Sequence, residues 1–557
     1  LDTIPGSLSS GPSPAAASTV GAPLAAPTVE APTLGAAPDT APSVAPPVAV
    51  PVETITVTTP SVVYHFTTGG GTLQEVVLAS YRALDTSNAA VRLTRDAAPL
   101  FRLHLVGADT AARPAVFSAE SGTTDGTTPL TLRGQIDGVP AELTYSFDTG
   151  HPYLVRVRGR LADPVGRQLV AHLPGEVLSQ ERDTAENQRH LAFVYNPTGS
   201  SAVGVGFGKL DPGEQRSSTQ ALSWVANKNK YFLVGLLAPE GGTPLSGVLL
   251  TGGARVDRVA RNAHAMVGIP MAADGTFDFE LYAGPQAWRQ LDAVGRGFKD
   301  TNPYGGFLQG MVQPFAEMVI RVLLWMHESL ALTYGWVLVV FGVAVRILLW
   351  PINQRAMRAS IRMQRIQPEL QAIQKRYKSD PQRQQQEMVK LYKEHNMSPF
   401  SMFSGCLPML LPLPIFFALY FVFQNTIEFR GVSFLWLPDI SLKDPYYITP
   451  IFMGLSMFLL SWIGIRGAPP NPQAKMLAYV MPVMLTVLFL NFASGLNLYY
   501  AVQNVAALPQ QWLIARERGK SPPPKVHDAP EATPAPTPAR ATGKAGKSSQ
   551  RKDPKRG

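Results

Sequence analysis

A chain of 557 residues would make three or four soluble domains at roughly 150 residues each. It is 45% hydrophobic and only 16% charged, below the roughly 25% charge of soluble domains, so some stretches must be nearly charge-free. Lys and Arg (49) outnumber Asp and Glu (40), and a single cysteine, Cys406, excludes both an internal disulfide framework and a thiolate-held zinc or iron–sulfur centre.

The chain starts at Leu1 with no basic, then apolar, leader, and the expectation is that a targeting segment has been removed. Residues 1–54 form a Pro/Ala-rich linker, with eleven prolines and no Lys or Arg in 1–52; this composition predicts a disordered or polyproline-like segment. Across 55–290 short runs of β-branched and aromatic residues predict strands, among them 55–58, 62–66, 143–147, 153–161, 231–237 and 277–282. Turns are marked by Gly69-Gly70-Gly71, Asp148-Thr149-Gly150 and Asp274-Gly275. A stretch this long predicts a large antiparallel β-sandwich with its own core.

Residues 313–330 are amphipathic, with Glu317, Arg321 and Glu328 among apolar residues, and suit a helix lying in a membrane interface. Five spans are predicted over about 334–352, 402–424, 446–465, 476–493 and 496–514, the last two separated at Ser494-Gly495. Residues 351–400 carry ten Lys/Arg against four acids and the tail 515–557 carries eleven against four, whereas 425–445 has two basic residues. The positive-inside rule places the first two in the cytoplasm and the β-domain outside, and an odd number of spans agrees. The basic surplus is therefore mainly topological.

Between the first two spans, 353–400 predicts a cytoplasmic helical hairpin. Met357, Ile361, Ile366, Leu370, Ile373 and Tyr377 make an apolar stripe on a basic helix, and Ser379-Asp380-Pro381 caps a second helix. The hairpin is either a solvated connector whose stripe holds two helices together or a docking surface.

Arg346 lies inside the first predicted span, where an arginine costs roughly 2.5–3.5 kcal/mol and usually faces protein or a wet cavity. Only four residues separate it from Trp350, so snorkelling to the headgroups is the alternative. Tyr499, Tyr500, Gln503 and Asn504 cluster at helical spacing in the last span. They are read either as interhelical ties or, with Arg346, as the lining of a hydrophilic groove. Met409, Phe416 and Phe417, in a proline-broken apolar span, are candidate substrate contacts, with lipid-facing packing as the alternative. No HExxH, GxSxG or GxxxxGK[ST] occurs and the histidines are scattered, so no catalytic group, metal site or cofactor is implied.

These residues also carry a resemblance. The chain resembles the YidC family of membrane protein insertases through Val345-Arg346 before Trp350-Pro351, Ile366 through Ile373, Gln386-Glu387-Met388 with Leu391-Tyr392-Lys393, Gly405 through Tyr420, Asp444-Pro445-Tyr446-Tyr447-Ile448, and Ser494-Gly495-Leu496 before Tyr499-Tyr500. The resemblance implies an α+β membrane protein, with a supersandwich-like extracytoplasmic domain before a five-helix transmembrane insertase core in the bacterial inner membrane. It implies a groove open to cytoplasm and lipid, hydrated by Arg346 and contacted by Tyr499 and Tyr500, that inserts nascent proteins without ATP. The implied partners are nascent membrane proteins, lipids, the ribosome, the Sec translocon, and the signal recognition particle with its receptor. Gln503 and Ala507 stand where other members have Ser or Thr, and the span that usually precedes the outer domain is not seen. A transporter or channel would need inverted repeats or midplane ionisable pairs, which the sequence lacks. A carbohydrate enzyme built on the outer domain would need an acid/base pair in a cleft.

Overall fold

The computed structural model describes residues 52–95, 99–107, 116–122, 124–256, 259–302, 309–395, 413–466 and 472–519. Residues 1–51 of the predicted terminal linker, the end of the predicted hairpin (396–400), the start of the 402–424 span, Met409 and the tail beyond 519 lie outside them, while Thr54, expected in the linker, opens a strand.

The first part is β-rich, as its alternating pattern predicts. Val62, Tyr64 and Phe66 are buried while Val63 and His65 between them are half-buried, and Val139, Ala141, Leu143 and Tyr145 repeat that period of two. A nine-stranded antiparallel sheet is the backbone of the domain, accompanied by a five-stranded and a four-stranded sheet. Aromatic pairs join the layers: Phe66 meets Tyr145 at 4.7 Å and Tyr64 meets Phe147 at 5.2 Å between the four- and nine-stranded sheets. The strand Phe232–Leu237 is buried on both faces and so shows no alternation. On one side Phe298 reaches Gly235, and the same ring packs 5.3 Å from Trp224 and 5.2 Å from Tyr282.

The described helices are α1 (Thr184–Arg189), α2 (Trp288–Val294), α3 (Gln309–Leu330), α4 (Tyr334–Arg376), α5 (Pro381–Glu394), α6 (Leu413–Asn425), α7 (Ile448–Ile465), α8 (Pro472–Phe489) and α9 (Ser494–Gly519). On α3 the residues Ala316, Val319, Ile320 and Leu323 are buried and Arg321 and Glu328 exposed, which is the amphipathic pattern of the sequence. The turn expected at Ser494-Gly495 falls where α8 gives way to α9.

Among the described residues two helical stretches are long and apolar enough to cross a membrane, Tyr334–Ala359 and Ile448–Ile465. Leu413–Asn425 and Lys475–Phe489 are apolar but shorter. Helix α9 has the length, but Asn497, Gln503, Asn504, Gln510 and Gln511 dilute its apolar character. The first span and the first arm of the hairpin, which the sequence presents as separate elements, are one helix: α4 is 43 residues long, about 65 Å at 1.5 Å per residue, with Pro351 and Pro368 inside it. The second arm begins as its signal predicts, with Asp380 Oδ1 accepting from Arg383 N at 3.0 Å and Pro381 in the first turn. It runs back along α4, bringing His395 Nε2 to 3.4 Å from Glu369 Oε2.

The β-domain is fastened to the helices through polar contacts. Arg289 pairs with Glu328 of α3 at 2.7 Å, and Lys299 with Glu317 at 3.3 Å. The loop between α6 and α7 sits against the sandwich, where Tyr231 and Ser441 share a hydrogen bond of 2.9 Å and Arg430 pairs with Glu181.

Candidate functional site

Helix α9 is the hub of the helical part, packing against α7 and α4 with α6 at one end. Its consecutive residues address different neighbours, because each step turns the helix by about 100°. Tyr499 is buried and lies 5.8 Å from Phe341 of α4. Its hydroxyl accepts from Gln503 Nε2 at 2.9 Å, and the same nitrogen donates to Gly342 O at 3.0 Å. Gln503 thus ties α9 to α4. Asn504 faces the other way, donating to Ser456 Oγ at 3.1 Å and Met453 O at 3.4 Å on α7.

Tyr500 looks toward a third neighbour. Its ring lies 5.5 Å from Phe416 of α6 and 5.9 Å from Phe489 of α8, and its hydroxyl is buried with no hydrogen-bond partner among the described residues. Phe416 also meets Phe417 and Tyr420, at 5.2 and 6.4 Å, so the two predicted phenylalanines belong to an aromatic cluster beside Tyr500.

Arg346 sits twelve positions beyond Tyr334, about 18 Å along α4 and so well within a hydrocarbon layer of roughly 30 Å. Its Nη2 donates to Gln510 Oε1 at 2.9 Å. Gln510 is fully buried and its Nε2 donates onward to Trp350 O at 3.2 Å and Gln354 Oε1 at 3.1 Å, fixing the amide so that its oxygen faces the guanidinium. The Arg346 Nε is sealed from solvent without a partner among the described residues, and no carboxylate pairs with the guanidinium there. Ile347 and Leu348, the next two residues, are 66% and 74% exposed and present an apolar face outward.

Gln510 is the residue the sequence reading misses. It lies seven positions after Gln503, two helical turns along the same face, and that spacing is the signal that could have found it. Helices α4 and α9 meet in parallel: Gly342 contacts Gln503, Arg346 contacts Gln510, and Arg358 contacts Glu517 at 3.4 Å.

A large β-domain is docked on apolar helices, two of them of membrane-crossing length, with an arginine held by an amide inside the first, and the matching families are those of an inner membrane protein with a periplasmic domain. Residues 54–318 match the family described as YidC periplasmic domain, and residues 325–521 the family described as 60Kd inner membrane protein. The membrane protein insertase YidC of Oleidesulfovibrio alaskensis is 32% identical over 403 residues, covering 70% of this chain and 71% of that protein. The membrane protein insertase YidC of Nitratidesulfovibrio vulgaris is 31% identical over 484 residues, covering 83% and 86%. A crystal structure of an active YidC insertase with its first transmembrane domain resolved aligns over 82% of this chain and 92% of its own, at 18% identity and a TM-score of 0.33. The chain belongs to the YidC family of membrane protein insertases.

Proposed function

We propose that the chain is an insertase and chaperone that moves hydrophobic segments of nascent proteins into the bilayer through a hydrophilic groove beside Arg346, without ATP, alone or with the Sec translocon. The observation that carries this reading is an arginine deep in a membrane-length helix, held by Gln510 and with no carboxylate partner among the described residues. Such a guanidinium favours water around it, because a cation in dry hydrocarbon is expensive. A positive, wetted indentation lowers the barrier for drawing a short polar or acidic tail part-way across. Partitioning of the following apolar helix into lipid then drives completion, so neither a nucleotide nor a catalytic group is required. Tyr499, Tyr500, Gln503 and Asn504 line or brace the groove, and Met409, Phe416 and Phe417 offer apolar surface to the incoming segment.

In this reading five spans place the β-domain outside the inner membrane and the hairpin and carboxyl terminus in the cytoplasm. The parallel meeting of α4 and α9 agrees with both crossing in the same direction. In the same reading the basic hairpin and tail meet the ribosome, the signal recognition particle and its receptor by charge attraction.

The test is insertion of a single-span substrate with a short acidic tail into liposomes carrying purified wild type, Arg346→Ala or Arg346→Lys, with no nucleotide. Insertion by wild type and Lys and a defect with Ala is the expected result. Equal insertion by wild type and Ala refutes the groove role of Arg346, and failure of every protein in the absence of nucleotide refutes autonomous insertion.

A further inference from the structure

The solvent face of the five-stranded sheet carries a feature that membrane insertion does not use. Leu103 and Leu105, Leu169, Ala171 and Leu173, and Ala265, Val267 and Ile269 point into the core from the strands Arg102–Val106, Gln168–Leu173 and Ala263–Ile269. Their alternates therefore share the opposite face. Pairing sets His172 opposite both Met266 and Arg102, and His104 opposite Val170, so the three strands place Arg102, His104, His172 and His264 on one floor. The His104 and His172 rings lie 6.1 Å apart. With the loops around Arg95, Glu176 and Arg261 this floor forms a cleft of about 790 Å³.

Among the described residues the charges in the cleft do not balance. Glu176 is matched by Arg95 at 2.6 Å and Asp137 by His104 at 2.7 Å. Arg102 and Arg261 are exposed and make no ion pair among the described residues. Burial, followed by the positive neighbours His104, Arg102 and His264, holds the His172 imidazole below its ordinary value, with Asp137 opposing. Pro99, Pro174 and Val256 add apolar walls.

We propose that this cleft binds an acidic peptide segment, with Arg102 and Arg261 pairing with its carboxylates and the histidine floor between them. A chain segment fits better than one small anion for two reasons. The unpaired cations come from separate elements, a strand and a loop, with three imidazoles around them, so they suit several carboxylates strung along a backbone. The volume also lies at the large end of ligand sites, roughly 300–1,000 Å³, and its apolar walls offer surface that a phosphate would leave bare. The source of such a segment rests on the proposed function: the acidic, translocated tails of inserted substrates emerge on the side where that reading places the β-domain. Protonation of His172, between His104 and the Arg102 strand, adds positive charge as the pH falls, so binding tightens on acidification.

The experiment titrates the full-length protein in detergent with a fluorescein-labelled peptide of alternating Glu and Ser, read by anisotropy at low salt. The Glu peptide should bind about tenfold or more tightly than the same peptide with Gln, and more tightly near pH 5.5 than near pH 8. Arg102→Ala/Arg261→Ala, at exposed positions, should weaken it about tenfold, and Arg102→Glu further. Equal affinity for the Gln peptide, or an unaltered double variant, overturns the proposal. Displacement of the peptide by inorganic phosphate at comparable concentration, or capture of an anionic-lipid vesicle in preference to the peptide, overturns the assignment of the occupant. Because the readout is binding without insertion, failure of wild type to insert a substrate counts against the proposed function and leaves this result standing.

Discussion

Arg430 and Glu181 lie 249 residues apart in the chain and meet at 2.8 Å, with only 5% and 8% of their side chains exposed. The guanidinium also lies 5.3 Å from the Phe232 ring and 5.7 Å from the Tyr231 ring, so a loop of the helical part is clamped on the β-domain by a charge shut away from water. Removing one partner of such a pair strands the other. Arg430→Leu should cost about 3–5 kcal/mol, while Glu181→Leu/Arg430→Leu should fall much closer to wild type. Burial, the leading influence, already raises the Glu181 carboxyl. Without Arg430 it rises further, so the folded state holds a proton that the unfolded state has released, and the single variant loses stability as the pH rises. Thermal unfolding of the three proteins near pH 5 and pH 8 checks both the ranking and the sign.

Glu428 gives a second pH signature. Its Oε1 accepts from Trp288 N at 3.2 Å, but its Oε2 is sealed without a partner among the described residues, and burial raises the carboxyl from 4.5 to about 7. The folded pKa exceeds the unfolded one, so the contribution is complete below about pH 4.5 and is lost as the pH rises toward 7, by about 3 kcal/mol. Glu428→Gln should flatten this dependence and unfold at a higher temperature than wild type near pH 8. A wild-type midpoint that does not fall over that interval contradicts it.

Gln510 offers a way to disturb Arg346 without touching it. Gln510→Leu removes an acceptor from the guanidinium and a donor from Trp350 O, a loss of about 0.6–2 kcal/mol for a membrane-embedded tie. Insertion in the liposome assay should fall to a level between wild type and Arg346→Ala, with Gln510→Glu, which retains an acceptor, less impaired than Leu.

Helix α7 approaches α8 closely at Gly454, where an added Cβ would overlap the Thr486 hydroxyl. Gly454→Val should force the helices apart and cost about 1–3 kcal/mol. Gly454→Val/Thr486→Ala should recover part of that loss, measured as the thermal midpoint in detergent.

Much of this arrangement was legible in the sequence because local patterns are strong signals. The strands at Val62–Thr67 and Val139–Phe147 alternate visibly, and Asp380-Pro381 marks the start of α5 through its cap. The strand Phe232–Leu237 was found by its β-branched and apolar content, but its covering by Phe298 was not, since that contact joins distant segments. At the candidate site, Tyr499 and Gln503 reveal their partnership through helical spacing. Which neighbour each polar residue serves was not legible: Gln503 and Asn504 are adjacent in sequence yet bind α4 and α7, a separation set by packing alone. Glu181 and Arg430 escape because no local rule couples residues so far apart, whereas Gln510 carries its signal in its spacing from Gln503.

The distance along the chain between Arg346 and Gln510, 164 residues, is also a delay. At roughly 5–20 residues per second of synthesis, the arginine is made about 8–33 s before its amide partner exists. Throughout that interval α4 must tolerate the guanidinium with water or headgroups alone, and the parallel pairing with α9 closes only when the last helix arrives. The protein thus passes through a state of its own in which a charged, half-finished membrane segment waits for company, the same problem that its substrates present.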